Sequence, residues 1–186
     1  MARRVFKKMM GAAGAGAENT LAASIRFGPL NINNIGMLRA LNQAIFPVKY
    51  NEKFYSDILA TPIAYTKFGY LDGYVISAIC CRPELIANTQ ESSTEQYELY
   101  IMTLGVLEPY RKQHIGTKLL AGVLDAAKHD LSINAIYLHV QTNNLVAIAF
   151  YKKFGFEVTE TIPDYYKNIS PSDCYVLKRR FNRQLG

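Results

Sequence analysis

The chain has 186 residues, 49% of them hydrophobic, which is enough for one domain with a buried core and a tail at each end. No apolar run approaches bilayer-spanning length, and the three cysteines, two of them adjacent as Cys80 and Cys81, make neither a disulfide framework nor a zinc site. The net charge of +6 sits at the ends: eight of the 21 basic residues (Arg3, Arg4, Lys7, Lys8, Lys178, Arg179, Arg180 and Arg183) lie in the first ten or last nine positions, leaving 13 basic against 15 acidic. A near-neutral body lacks the basic stripe of a nucleic-acid enzyme, so no specific DNA binding is expected. The basic ends either hold the protein near ribosomal RNA or a large partner, or are simply solvated, the reading preferred on charge alone.

Residues 1–23 form a basic Gly/Ala-rich leader with no periodicity to bury, read as disordered; an organelle transit peptide is the less favoured alternative. A domain spans 24–180, with a basic tail over 181–186. Residues 24–27 suit a first strand. Asn31 or Asn33 then caps a helix with Ile35, Leu38, Leu41 and Ile45 on one face, ending before Pro47. The loop Phe46-Pro47-Val48-Lys49-Tyr50 spends large apolar groups where solvent is expected, so it packs inward or lines a binding site. Asn51 caps a short second helix carrying Phe54 and Ile58.

Alternation predicts strands over 63–70 and 74–82, joined at Leu71-Asp72-Gly73, a hairpin signal. Residues 83–96 are polar, acidic and rich in Ser and Thr, and read as a surface loop. Residues 100–106 have buried-strand composition, Pro109 stops the ladder, and Ile115, Leu119, Leu120, Val123, Leu124 and Ala127 fall at helical spacing, giving a helix over 117–129. A fifth strand follows over 135–140. Asn143 or Asn144 caps a fourth helix with Leu145, Ile148 and Ala149 turned inward, and Gly155 ends it. Strands over 156–162 and 174–179 close the domain. The expected fold is α/β, a mixed sheet of about seven strands flanked by four helices.

The strand, polar loop and helix start around Arg111 offer unpaired N–H groups and a positive dipole end, which suit a phosphate; an ordinary βα connection with surface charge has the same pattern. The loop is neither a Walker A nor a dinucleotide fingerprint. It does resemble the acetyl-CoA signature R/Q-x-x-G-x-G/A of the GNAT acetyltransferase superfamily, reading Arg111-Lys112-Gln113-His114-Ile115-Gly116, with His114 in place of the middle Gly. Five further stretches, L-N-Q-A-I-F-P-V-K-Y-N-E-K-F-Y, Y-I-M-T-L-G, Y-L-H-V-Q, F-Y-K-K-F-G-F-E and Y-Y-K-N-I, resemble the catalytic subunits of the NatE-type N-terminal acetyltransferases. The loop over 83–96 is longer than its counterpart in that family, a lineage-specific insertion without a catalytic task.

Amide formation from a thioester needs a neutral amine, a donor for the oxyanion and a proton source for the thiolate, but no metal and no covalent nucleophile. Tyr100 and His139 sit on the strands preceding the two helices, and can share a cleft if those strands are parallel neighbours. Alone, His139 is more often a core residue and Tyr100 more often a packed aromatic; the resemblance reverses that balance and makes them the general base pair. It also implies acetyl-CoA binding by Leu104, Gly105, Val106, Arg111, Lys112, Gln113, His114, Ile115, Gly116, Thr117, Asn144 and Tyr151. The peptide N-terminus falls to Phe46, Pro47, Val48, Tyr50, Met102, Tyr165, Tyr166 and Ile169, a pocket that suits Met followed by a hydrophobic residue.

The function expected is therefore N-terminal acetylation from acetyl-CoA, in the cytoplasm and also the nucleus, in association with the NatA auxiliary subunit at the ribosome. A catalytically weak scaffold docking on that assembly and a lysine or small-amine acetyltransferase are the rivals. His114 either leaves the loop backbone in place with its ring in solvent or displaces the amides from the phosphate, and the expectation is a weakened site rather than a dead one.

Overall fold

Two asparagines do the work that the sequence assigns to them. Asn51 accepts from the Phe54 amide (3.0 Å) and Asn144 from the Ala147 amide (3.1 Å), so each satisfies one of the N–H groups a helix start leaves unpaired. The structure, a computed structural model, describes residues 24–86, 95–167 and 169–181. The expected leader over 1–23, most of the tail over 181–186 and the centre of the 83–96 loop lie outside those residues.

Four α-helices, α1 (Ile35–Ile45), α2 (Glu52–Ala60), α3 (Ile115–His129) and α4 (Leu145–Lys152), accompany seven strands in the described residues. The strands are β1 (Arg26–Pro29), β2 (Thr66–Leu71), β3 (Tyr74–Leu85), β4 (Tyr97–Val106), β5 (Ile133–Gln141), β6 (Glu157–Ile162) and β7 (Cys174–Arg180). They form one mixed sheet in the order β1-β2-β3-β4-β5-β7-β6, as the α/β reading requires. The chain divides into two compact units, one holding residues up to Cys81 with Thr103–Asp125, the other Arg82–Met102 with the residues from Ala126 on.

In the first unit, β1 and β3 pair antiparallel on either side of β2, and Asp72 (φ 50°) and Gly73 (φ 82°) close the β2–β3 hairpin with the left-handed pair such a turn demands. The apolar stripe predicted for α3 is buried at Ile115, Leu119, Leu120, Val123 and Leu124, and Leu38, Phe54, Ile58 and Phe68 join the same unit's core. In the second unit β4 and β5 run parallel from Tyr97↔Ile133 to Tyr100↔Tyr137, and β5 and β6 flank β7 antiparallel. Gly155 (φ 75°) turns the chain after α4, its amide donating to the Lys152 carbonyl.

Several expectations need correction. The first strand begins at Arg26, not Ser24, and α1 is capped at Asn34, whose side chain instead bonds the Asn31 amide and the Pro29 carbonyl. Residues 63–65 are a 3₁₀ turn ahead of β2. β3 runs through Pro83 to Leu85, where a loop is expected, because its pairing with β2 has already ended at Thr66↔Cys80 and a missing N–H is tolerated there. Leu145 (72% exposed) and Ala149 face solvent, and α4 buries Ile148 and Tyr151 instead.

Candidate functional site

The alternation of β4 sorts its residues before any contact is considered. Ile101, Thr103 and Gly105 are buried, while Tyr100, Met102, Leu104 and Val106 take the other face and are partly covered. Gly105 is tightly placed: a Cβ there would come within 3.0 Å of Ile45 Cδ1 and 3.1 Å of Phe46 Cζ, so the absent side chain lets the end of α1 seat against the strand. Phe46 in turn meets Tyr50 edge-on (6.0 Å), and Tyr50 stacks on Phe54 (4.3 Å). The loop Phe46–Tyr50 is thus partly packed: Phe46 and Tyr50 are half-buried, Pro47 and Val48 exposed.

Between β4 and α3 the loop doubles back on the strand, with Arg111 Nε donating to the Val106 carbonyl (3.1 Å). Lys112 (φ 63°) and His114 (φ 58°) are left-handed and Gln113 between them is not, the alternation that turns successive amides toward one side and makes an anion cradle. Helical bonding starts at once, Lys118 N–H to His114 C=O (3.0 Å), so the free amides of a four-turn helix begin at this loop. Arg111, Lys112 and His114 are exposed, Gly116 and Thr117 partly covered and Ile115 buried. Gln113 Oε1 is buried without a hydrogen-bond partner among the described residues, a polar atom in want of one. The alternating backbone and the free amides fit a diphosphate, whereas the Gln113 oxygen is an acceptor and calls for a donor that a diphosphate lacks; His114 adopts the backbone that a glycine would take, with its side chain exposed.

The second unit carries a run of aromatic rings. The parallel register sets Tyr100 beside Tyr137, and the two rings stack (5.0 Å, 30°). His139 lies two residues on, on the same face of β5, and its Nδ1 is 3.2 Å from the Tyr100 hydroxyl. Tyr165 stacks on the imidazole (4.8 Å, 23°) with its hydroxyl 3.5 Å from the same nitrogen, and Tyr166 meets Tyr165 edge-on (4.9 Å). Tyr165 remains 41% exposed, so this end of the run is open to a ligand; Ile169 is 49% exposed. Asn144 caps α4, and Tyr151 is buried against Phe156 (5.4 Å).

Burial dominates the ionisation of this cluster. It lowers the His139 imidazole below its ordinary 6.5, against the smaller opposing pull of Glu84 and then Glu160. It also raises the Tyr100 phenol far above its usual range, reinforced by Tyr165 and Tyr137. Near neutrality the pair is a neutral imidazole and a neutral phenol, able to pass a proton through their shared hydrogen bond.

The structure therefore brings Tyr100, His139 and Tyr165 together, and gathers Gly105 with Phe46 and Tyr50. Sequence reasoning missed Glu84, which was assigned to a surface loop, and Tyr137. The alternation of β5 is the signal that could have found Tyr137, since it places that residue on the face of His139. Among the described residues no group of three or more His, Cys, Asp or Glu could hold a metal, and no helix is long and apolar enough to cross a membrane.

A sheet of this order, with a helix start feeding from the β4 loop, is the architecture of one acetyltransferase class. The chain belongs to the acetyltransferase (GNAT) family, whose model matches residues 35–156. It is 46% identical over 155 residues to N-alpha-acetyltransferase 50 of Danio rerio (83% of this chain, 88% of the relative). The probable N-acetyltransferase san of Drosophila melanogaster is 46% identical over 162 residues, covering 87% and 83%. Among solved structures, Arabidopsis thaliana Naa50 in complex with the bisubstrate analogue CoA-Ac-MVNAL superposes with a TM-score of 0.76 at 46% identity, covering 85% of this chain and 99% of that one.

Proposed function

We propose that the protein is an acetyl-CoA-dependent N-alpha-acetyltransferase acting on peptides that begin with Met followed by a hydrophobic residue. The observation that carries the reading is the Tyr100 hydroxyl at 3.2 Å from His139 Nδ1 within a chain so similar to N-alpha-acetyltransferase 50. A peptide α-ammonium has a pKa of about 8, so a weak base is enough to free the amine near neutrality. In the proposed relay the Tyr100 oxygen takes the amine proton while its own hydrogen passes to Nδ1, leaving an imidazolium that solvent later discharges. The amine forms its C–N bond to the thioester carbonyl, the second nitrogen proton is lost to solvent as the tetrahedral adduct collapses, and the C–S bond breaks. The CoA thiolate leaves and takes a proton, for which Tyr151 is the proposed donor, its phenol being restored by a proton from solvent.

Acetyl-CoA is assigned to Leu104, Gly105 and Val106 for the pantetheine, to Arg111 through Thr117 for the diphosphate, and to Asn144 and Tyr151. Phe46, Pro47, Val48, Tyr50, Met102, Tyr165, Tyr166 and Ile169 are assigned to the peptide; their apolar and aromatic character disfavours a lysine ammonium, which would lose hydration without a partner. Association with a NatA auxiliary subunit at the ribosome, and residence in the cytoplasm and nucleus, complete the proposal on the resemblance alone. The test is acetylation of a small panel of Met-Leu, Met-Val, Met-Lys and Ser-initial peptides, with an N-blocked lysine peptide in competition. Preferential turnover of the lysine peptide, or none of any peptide, would refute the reading.

A further inference from the structure

The sheet face that carries Tyr100 and His139 also carries a polar group that the proposed chemistry leaves idle. Glu84, near the end of β3, accepts from Arg82 Nε (3.2 Å) and Nη2 through Oε1, and from the Tyr137 hydroxyl through Oε2. Both of those partners flank Tyr100: the Tyr137 ring stacks on it at 5.0 Å, and the Arg82 guanidinium lies 5.8 Å from its centroid. One carboxylate thus anchors two groups that pack on the Tyr100 ring, and its partner Tyr137 is 53 positions away in sequence. A second pair, Lys178–Glu98 (2.7 Å), adds its ammonium over the Tyr137 ring at 5.4 Å.

We propose that Glu84 is a positioning residue for the Tyr100–His139 pair, acting through the hydroxyl of Tyr137. The inference rests on the proton-transfer roles given to Tyr100 and His139 above. A phenol can turn about its Cβ–Cγ axis and swing about Cα–Cβ, and the relay needs its oxygen held within hydrogen-bond reach of Nδ1. Tyr137 is fixed at one end by the β5 ladder and at the other by the carboxylate, so it presents a stationary ring face against which Tyr100 stops. Without the carboxylate, the Tyr137 hydroxyl and the Arg82 guanidinium lose a shared partner, and the ring is free to tilt.

Glu84 also acts through charge. Tyr100 from β4, Tyr137 from β5 and Tyr165 from the segment before β7 pack on the imidazole, and Glu84 from β3 and Glu160 from β6 act on it through charge, with the Lys178–Glu98 pair beyond Tyr137. Glu84 is the larger of the two carboxylate contributions favouring the imidazolium. Its presence therefore helps His139 hold the proton it receives, whereas a neutral residue in its place depresses the imidazole further.

The experiment compares Glu84→Gln, Glu84→Asp and Tyr137→Phe with the parent and with Tyr100→Phe in steady-state kinetics on a Met-Leu peptide, alongside NMR titration of the His139 imidazole. Tyr137→Phe keeps the ring and removes only the hydroxyl; it should lower kcat about tenfold while KM for acetyl-CoA stays within about twofold. Glu84→Gln should lower kcat similarly and move the imidazole titration to lower pH, because the favourable charge is gone. Glu84→Asp should bring the titration back toward the parent value, and melting curves report whether each variant is folded. Parent-like kcat and titration in Glu84→Gln and Tyr137→Phe, with Tyr100→Phe slow, would overturn the positioning role and leave the catalytic reading intact. Full turnover in Tyr100→Phe would overturn both. If Glu84→Gln does not fold, Tyr137→Phe with parent-like kcat is sufficient to refute the role.

Discussion

His139 and His114 show two ways in which one residue type answers to its surroundings. His139 is held neutral by burial, so the deprotonated form that the proposed relay uses persists below pH 6.5. NMR titration of the three histidines should place its midpoint below those of a model imidazole, and an apparent value above 6.5 would remove burial as the controlling effect. His114 is instead exposed, in a left-handed conformation that costs an L-residue about 1–2 kcal/mol. His114→Gly should relieve part of that strain, offset by greater unfolded-state freedom, and raise Tm by about 2 °C. Because the backbone already takes the cradle conformation, calorimetry should find acetyl-CoA affinity changed by less than about threefold. A tenfold gain would show that the side chain obstructs the site after all.

At the scale of elements, the local signals in the chain were legible and the long-range ones were not. Asn51, Asn144, Asp72-Gly73 and Gly155 act within four residues of themselves, so each could be read directly. The α3 stripe was legible because a 15-residue helix repeats its period four times. The eight-residue α4 does not, and Leu145 was misassigned inward. Pro83 hid the end of β3, since nothing local announces that β2 has already stopped. The Tyr100–His139 pair needed both the family motifs and the parallel register; the Glu84–Tyr137 bond had no sequence signal at all. The loop after α1 offers a further test. Phe46→Ala removes the ring that leans on Gly105 and Tyr50 and should raise KM for a Met-Leu peptide roughly tenfold, more than for acetyl-CoA. Equal effects on both would make Phe46 a support of the fold.

For the molecule as a whole, the cysteines are structural. Cys80, Cys81 and Cys174 are all fully buried, and burial pushes the Cys80 thiol up to about 12 and Cys81 well above its ordinary value. The native protein should therefore react slowly with an aromatic disulfide reagent at pH 8 and release three thiols only on unfolding; one fast thiol would contradict this. The basic ends carry a separate expectation. Removal of residues 1–22 and 181–186 should leave acetylation of free peptides unchanged, and ribosome co-sedimentation that loses its salt dependence would assign the ends to docking.

The chain contains 13 tyrosines and no tryptophan. Ultraviolet emission from the native protein is accordingly that of phenols, without the indole signal that usually hides them. Tyr137, Tyr100, Tyr165 and Tyr166 lie in one run of rings, interrupted only by His139, and Tyr137 is hydrogen-bonded to a carboxylate that quenches its emission. On the peptide site proposed above, the partly exposed Tyr165 would make the protein its own optical reporter: a peptide settling against that ring would change the emission of an unlabelled sample, and acceptor binding could be followed in real time without a dye.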